Sequence, residues 1–159
     1  MLDDLYTQTM PAWAQTLSVG DIVLCRLPYF EAGDNHEPAP RPCLVTDITN
    51  VAGAVFVELA PATRKEEPVA ADTDILADAG AFCPPWGDDA PWQFRMKRTQ
   101  RFDLAHASFV TPPHDTSPVV GRLYGSSLEL LEVQRSQRQA SRERHLAAKR
   151  NRRPQKRAR

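Results

Sequence analysis

Cysteine is scarce in this 159-residue sequence, and Cys25, Cys43 and Cys83 form an odd set with no two close together. That spacing fits neither a disulfide framework nor a four-ligand zinc site. Cys25 in IVLCRL and Cys43 in PCLVTD sit inside apolar runs, where a thiol packs as a small hydrophobe; reduced core thiols are the expectation. Long apolar runs are also lacking. No stretch approaches the roughly 18 consecutive apolar residues of a membrane-spanning helix, so a helical membrane protein is excluded. The opening MLDDLYTQTM PAWAQTLSVG carries two aspartates and no continuous apolar run, so it does not read as a secretory signal, and a cytoplasmic protein is expected. His106 and His114 stand apart from the cysteines and from each other, which gives a metal site little support, and no metal or cofactor is expected.

What is present is a hidden division of charge. Lys and Arg number 20 and Asp and Glu number 20, yet residues 134–159 hold 11 of the basic residues and one acid, Glu143. Residues 1–133 are left with nine basic and nineteen acidic residues, a net of −10 against +10 in the tail. An acidic body with a basic arm points to an anionic partner for the arm, nucleic acid being the commonest.

The patterning divides the chain into an N-terminal arm (1–19), a barrel domain (20–133) and a basic tail (134–159). Leu2, Leu5 and Tyr6 at helical spacing hint at a short helix before Pro11. DIVLCRL, CLVTDIT and AVFVELA are short β-branched runs separated by Pro, Gly, Asn and Asp clusters, and they predict three strands. FRMKRTQRFDLAHASFV and VVGRLYG each hold a further apolar run, for about five strands in all. With no helical pattern between them, an antiparallel arrangement is expected rather than a parallel βαβ fold. The stretch after Pro68, which contains CPPWGDDAPW with its three prolines and a glycine, reads as an inserted surface loop. Ser126 and Glu129 form a capping box ahead of Leu128, Leu130, Leu131 and Val133, so a helix is expected there. Beyond Gln134 the apolar face ends, leaving a solvated helix or a disordered arm in which pairs such as Arg138–Arg142 and Lys149–Arg153 repel.

Three segments read together carry a resemblance: GDIVLCRL at 20–27, RPCLVTD at 41–47 and VELAPATRK at 57–65. The chain resembles the PemK/MazF family of mRNA interferases, in which a GDI-V strand, a polar loop, an RP dipeptide opening the second strand and an apolar–Thr turn ending the third follow in this order. KRTQRFDL at 97–104 and VVGRL at 119–123 are similar to the late strand and closing element of longer members. The resemblance implies a mainly β chain with a C-terminal helix, built on a small SH3-like antiparallel barrel. It implies a homodimer that cleaves single-stranded RNA without a metal, as the toxin of a type II toxin–antitoxin system neutralised by a cognate antitoxin protein. By position, Arg41 falls on the catalytic arginine and Thr63 on the active-site threonine. His36, Arg64, Lys65, Lys97 and Arg98 are the implied substrate-binding residues. The loop from Pro28 to Pro40 flanks the implied active site and departs from the family's glycine-rich pattern with Gly33, Asn35, His36 and Glu37.

The chemistry of these residue types agrees. RNA cut by its own 2′-hydroxyl needs a proton acceptor, a donor for the leaving oxygen and positive charge beside a phosphorane. A guanidinium such as that of Arg41 holds two phosphate oxygens in a planar fork and stays charged throughout. The Thr63 hydroxyl would add a hydrogen bond to the same phosphate. Plainer readings stand beside these: Arg41 as a surface arginine, Thr63 as a turn residue satisfying local backbone, and His36 as a solvated histidine rather than an acid or base. Trp86 and Trp92 either stack on bases or pin their loop to the core. At the level of function the alternatives are a catalytically silent RNA-binding module with the same fold and a barrel that binds only protein.

Overall fold

A hairpin organises the molecule. In the computed structural model, which describes residues 10–27, 39–64, 73–105 and 107–152, β2 (Arg41–Val51) and β3 (Ala54–Arg64) run eleven residues each. The two residues between them, Ala52 and Gly53, both have positive φ (52° and 84°), the geometry of the two-residue turn that matches strand twist. Pairing runs from Val51–Ala54 to Cys43–Pro61, with a bulge between Val45 and Asp47. The bulged Thr46 donates its hydroxyl hydrogen bond to Glu58 Oε1 at 2.8 Å.

β1 (Asp21–Cys25) pairs antiparallel with β2 and, on its other side, with β7 (Val119–Arg122). β3 is shared: its first half pairs with β6 (Gln100–Asp103) and its last three residues with β5 (Trp92–Phe94), which in turn pairs with β4 (Ile75–Ala77). The order is β4-β5-β3-β2-β1-β7, all antiparallel, in a sheet curled into a half-barrel. Where the curl brings its edges round, Phe82 bridges to Gly121 and the Cys83 N–H donates to the Val120 carbonyl at 2.7 Å.

Alternation along the strands separates two cores. Ile22, Leu24, Leu44, Ala60, Ala62, Ile75 and Phe94 face one cluster, into which Leu131 of the C-terminal helix inserts. Val23, Cys25, Cys43, Val45, Val57 and Leu59 face the other, covered by the single turn α1 (Ala12–Gln15) and by Leu104 and Phe109. Trp13 meets Phe109 edge-on at 5.1 Å between centroids.

Among the described residues there are seven strands, against the expected total of about five. The segment read as a surface loop supplies β4 and β5 as well as 3-10 turns at Ala79–Ala81 and Trp86–Asp89, and Phe82 and Trp92 are buried. Prolines forbid a helix there but not strands of three residues. Trp92 donates its indole N–H to the Trp86 carbonyl at 3.2 Å, so the tryptophans pin this segment. α2 (Gly125–Asn151) starts one residue ahead of Ser126, and its N-cap, Tyr124, makes no side-chain cap bond. Tyr124 instead donates to Asp78 at 2.8 Å, and Ser127 to the Leu76 carbonyl at 2.9 Å, tying the helix start to β4. The arm helix suggested by Leu2, Leu5 and Tyr6 lies outside the described residues.

Candidate functional site

Arg41 opens β2 and Thr63 lies near the end of β3. The β2–β3 ladder stops at Cys43–Pro61, and each of the two residues lies two positions past that pair. Period-two alternation therefore sets Arg41 on the Cys43 side and Thr63 on the Pro61 side of one sheet face, at one end of the hairpin. Thr63 pairs with Gln93 of β5. The Thr63 hydroxyl and Gln93 Oε1 are both buried and have no hydrogen-bond partner among the described residues. A buried polar atom without a partner is costly, so two of them on directly paired residues mark this end of the face as polar and unsatisfied.

Beneath it the electrostatics are those of a dry core. Burial pushes the Cys25 thiol up to about 11. Burial also holds Cys43 well above its usual range; the neighbouring Cys25 adds to the rise and the Arg41 charge opposes it. Both thiols are neutral packing groups, consistent with their apolar sequence surroundings, and neither is a ready nucleophile. The Arg41 charge is thus felt by the Cys43 thiol beneath it.

Gln93 leads to a buried node. Its Nε2 donates to Asp74 Oδ2 at 2.7 Å, the Met96 N–H donates to Asp74 Oδ1 at 3.2 Å, and Arg95 Nε stands 3.3 Å from Oδ2. Asp74 thereby fixes β5 and the 3-10 turn Met96–Arg98 against β4. Lys97 and Arg98 are exposed on that turn. Lys97 is not grouped with Arg41 but lines a cleft of about 430 Å³ together with Arg138 and Arg142 of α2.

The other sheet face ends in carboxylates that receive α2. Arg135 reaches Asp47 at 3.1 Å; Arg138 donates to Glu58 at 2.8 Å and to the Met96 carbonyl at 2.8 Å; Arg142 stands 3.9 Å from Glu58. The first turns of the basic segment therefore dock on the acidic body. His36 and Lys65 lie outside the described residues, as does the side chain of Arg64, whose backbone pairs with Trp92. Among the described residues no three His, Cys, Asp or Glu side chains converge, and no helix is long and apolar enough to cross a membrane.

Sequence reasoning passed over Gln93, Asp74, Glu58 and Asp47. A signal existed for two of them. Gln93 is the polar centre of W-Q-F and Glu58 lies between buried Val57 and Leu59, so alternation alone turns each to the face opposite its neighbours. Asp74 carries no such mark. Comparison with protein-family models, curated proteins and solved structures returns no match for this chain.

Proposed function

We propose that the protein is an endoribonuclease of the PemK/MazF type that cuts single-stranded RNA through the substrate's own 2′-hydroxyl, without a metal, as the toxin of a type II toxin–antitoxin pair. The observation that supports this reading is the placement of Arg41 and an unsatisfied Thr63 hydroxyl on one sheet face at one end of the β2–β3 hairpin, each two residues past the last ladder pair. On this reading the Arg41 guanidinium neutralises two oxygens of the scissile phosphate, and the Thr63 hydroxyl donates to it as charge builds in the transition state. His36, in the segment between β1 and β2, is the candidate proton carrier. The chain works in the cytoplasm, pairs with a second copy of itself and is silenced by an antitoxin protein.

The test is incubation of the purified protein with end-labelled RNA in excess EDTA and identification of the product ends. Cyclic phosphate and 5′-hydroxyl ends are expected. Arg41→Ala should slow cutting by on the order of 10² to 10³ while leaving the thermal midpoint in place. Uncut RNA, or an Arg41→Ala protein as fast as the parent, refutes the reading. Retained RNA binding without cutting supports the second reading, a silent RNA-binding module, which the basic face of α2 favours.

A further inference from the structure

One line of basic side chains, on α2 and its C-cap residue Arg152, has no counter-charge on its own helix. Arg138, Arg142, His145, Lys149 and Arg152 follow at intervals of four, three, four and three residues. At 3.6 residues per turn all five stay within about 40° of one line along a stretch of about 21 Å. The helix carboxylates Glu129, Glu132 and Glu143 fall about 120° or more away from it. The root of the line is fixed, because Glu58 holds Arg138 and reaches Arg142 at 3.9 Å, while the Arg142 side chain stays 65% exposed and every residue of the line beyond it is exposed. Beside the root opens the cleft that Lys97 shares with Gln134, Gln137, Arg138, Ser141 and Arg142, and among the described residues no carboxylate lines it.

We infer that this line and its cleft are a docking surface for a nucleic-acid strand, gripped through its phosphates without regard to base sequence. The array is linear, as the partner is, and beyond Glu58, which holds its root, no carboxylate of α2 lies on its side of the helix. Neighbouring cations three and four apart repel within the free helix, and a phosphate chain laid along them removes that repulsion. A membrane surface is a poor match, since the distal helix has no apolar face to bury: Leu146 is its one large exposed hydrophobic. The body, at net −10, repels a phosphate chain elsewhere and so directs it to this line. The surface uses neither Arg41 nor Thr63 and does not depend on cleavage.

The experiment measures binding of the full chain to a fluorescent 2′-O-methyl RNA strand by anisotropy, between about 50 and 200 mM salt. A strand without free 2′-hydroxyls cannot be cut by the route proposed above, so failure to bind and failure to cleave are separate results. The parent should bind with a linear fall of log affinity against log salt. Arg142→Gln/Lys149→Gln should flatten the slope by about 1.4, two phosphates at about 0.7 each. Arg144→Gln/Arg150→Gln, which removes equal charge about 120° off the line, should change it by less than half as much. Lys97→Gln, outside the helix and so unable to disturb it, should flatten the slope by about 0.7. Circular dichroism checks that both double variants keep α2. Absence of salt-dependent binding by the parent, equal losses from the two double variants, or binding to phosphatidylserine vesicles in preference to the strand overturns the inference.

Discussion

Gly121→Ala probes the seam of the half-barrel. Gly121 sits in β7 opposite Ile22 and bridges to Phe82, and a Cβ built on it would strike the Ala81 carbonyl oxygen well inside van der Waals contact and stand 3.1 Å from Phe82 Cα. Both obstacles are backbone, so relief requires β7 and the Ala81–Phe82 segment to part, which also stretches the 2.7 Å Cys83–Val120 hydrogen bond. Overpacking costs about 1–3 kcal/mol and a weakened hydrogen bond about 1 kcal/mol more, for a loss of about 2–4 kcal/mol. In a chain of this size each kcal/mol lowers the melting temperature by about 2–4 °C, so thermal melting should show a drop of roughly 5–15 °C. Gly53→Ala is the control of opposite cause: its φ is +84° and nothing lies within 4 Å, so only backbone strain of about 1 kcal/mol is added. If Gly121→Ala melts within about 2 °C of the parent, or loses less than Gly53→Ala, the edges of the sheet are not joined at this seam.

Five further outcomes are expected. Asp74→Ala, which leaves Gln93 and the Met96 N–H without their buried acceptor, should lower unfolding free energy in urea by about 3 kcal/mol. Leu131→Ala should cost about 2–4 kcal/mol and increase hydrogen exchange along α2, because Leu131 is the helix's one fully buried side chain among the described residues. Glu58→Gln should cost about 1–2 kcal/mol in low salt, with the difference from the parent shrinking as salt is added, since it removes the charge that Arg138 and Arg142 share and one of the two oxygens that Thr46, Arg138 and Arg142 use. The raised Cys25 pKa gives a linkage with a fixed sign: the thiol stays neutral in the fold while the unfolded chain ionises from an ordinary 9.0, so stability is intact below about 9 and falls as pH rises towards about 11. Urea midpoints across that range check this, and below it exposed Cys83 should react with a thiol reagent well before Cys25 and Cys43.

The strands around Cys25, Cys43 and Val57 were legible because each is a short β-branched run set off by Pro, Gly, Asn and Asp clusters. β4 and β5 were not, since three residues cannot display a period, and the prolines around W-Q-F speak louder than Trp92 and Phe94. Their assignment comes from partners distant in sequence, Ala62–Arg64 above all, which no local pattern announces. The start of α2 was legible to one residue, although its anchor is not the Ser126–Glu129 box but Tyr124 on Asp78, a contact across 46 positions. Arg41 and Thr63 were named through resemblance, and the register places each of them two steps past the same ladder pair. Gln93 joins them only through β5 and so stayed hidden with it.

Of the two states expected of the basic segment, a solvated helix or a disordered arm, α2 carries it as a helix to Asn151. Repulsion between Arg138 and Arg142 opposes a free helix, yet both point towards Glu58, so one carboxylate on the sheet offsets two like charges on the helix. Apolar anchoring ends at Leu131, whose burial is worth about 1.5–3 kcal/mol. Past that point α2 rests on ion pairs whose basic side chains are 33–65% exposed, contacts worth at most about 1 kcal/mol each and weakened by salt. The helix is therefore graded along its length: apolar attachment first, then salt-dependent attachment, then cations held clear of the body. Arg142 stands at the boundary, near enough to Glu58 to be oriented and exposed enough to turn to a phosphate. An anion arriving at the distal cations needs only to outcompete that weakest contact, and Leu131 keeps the helix in register while it does so.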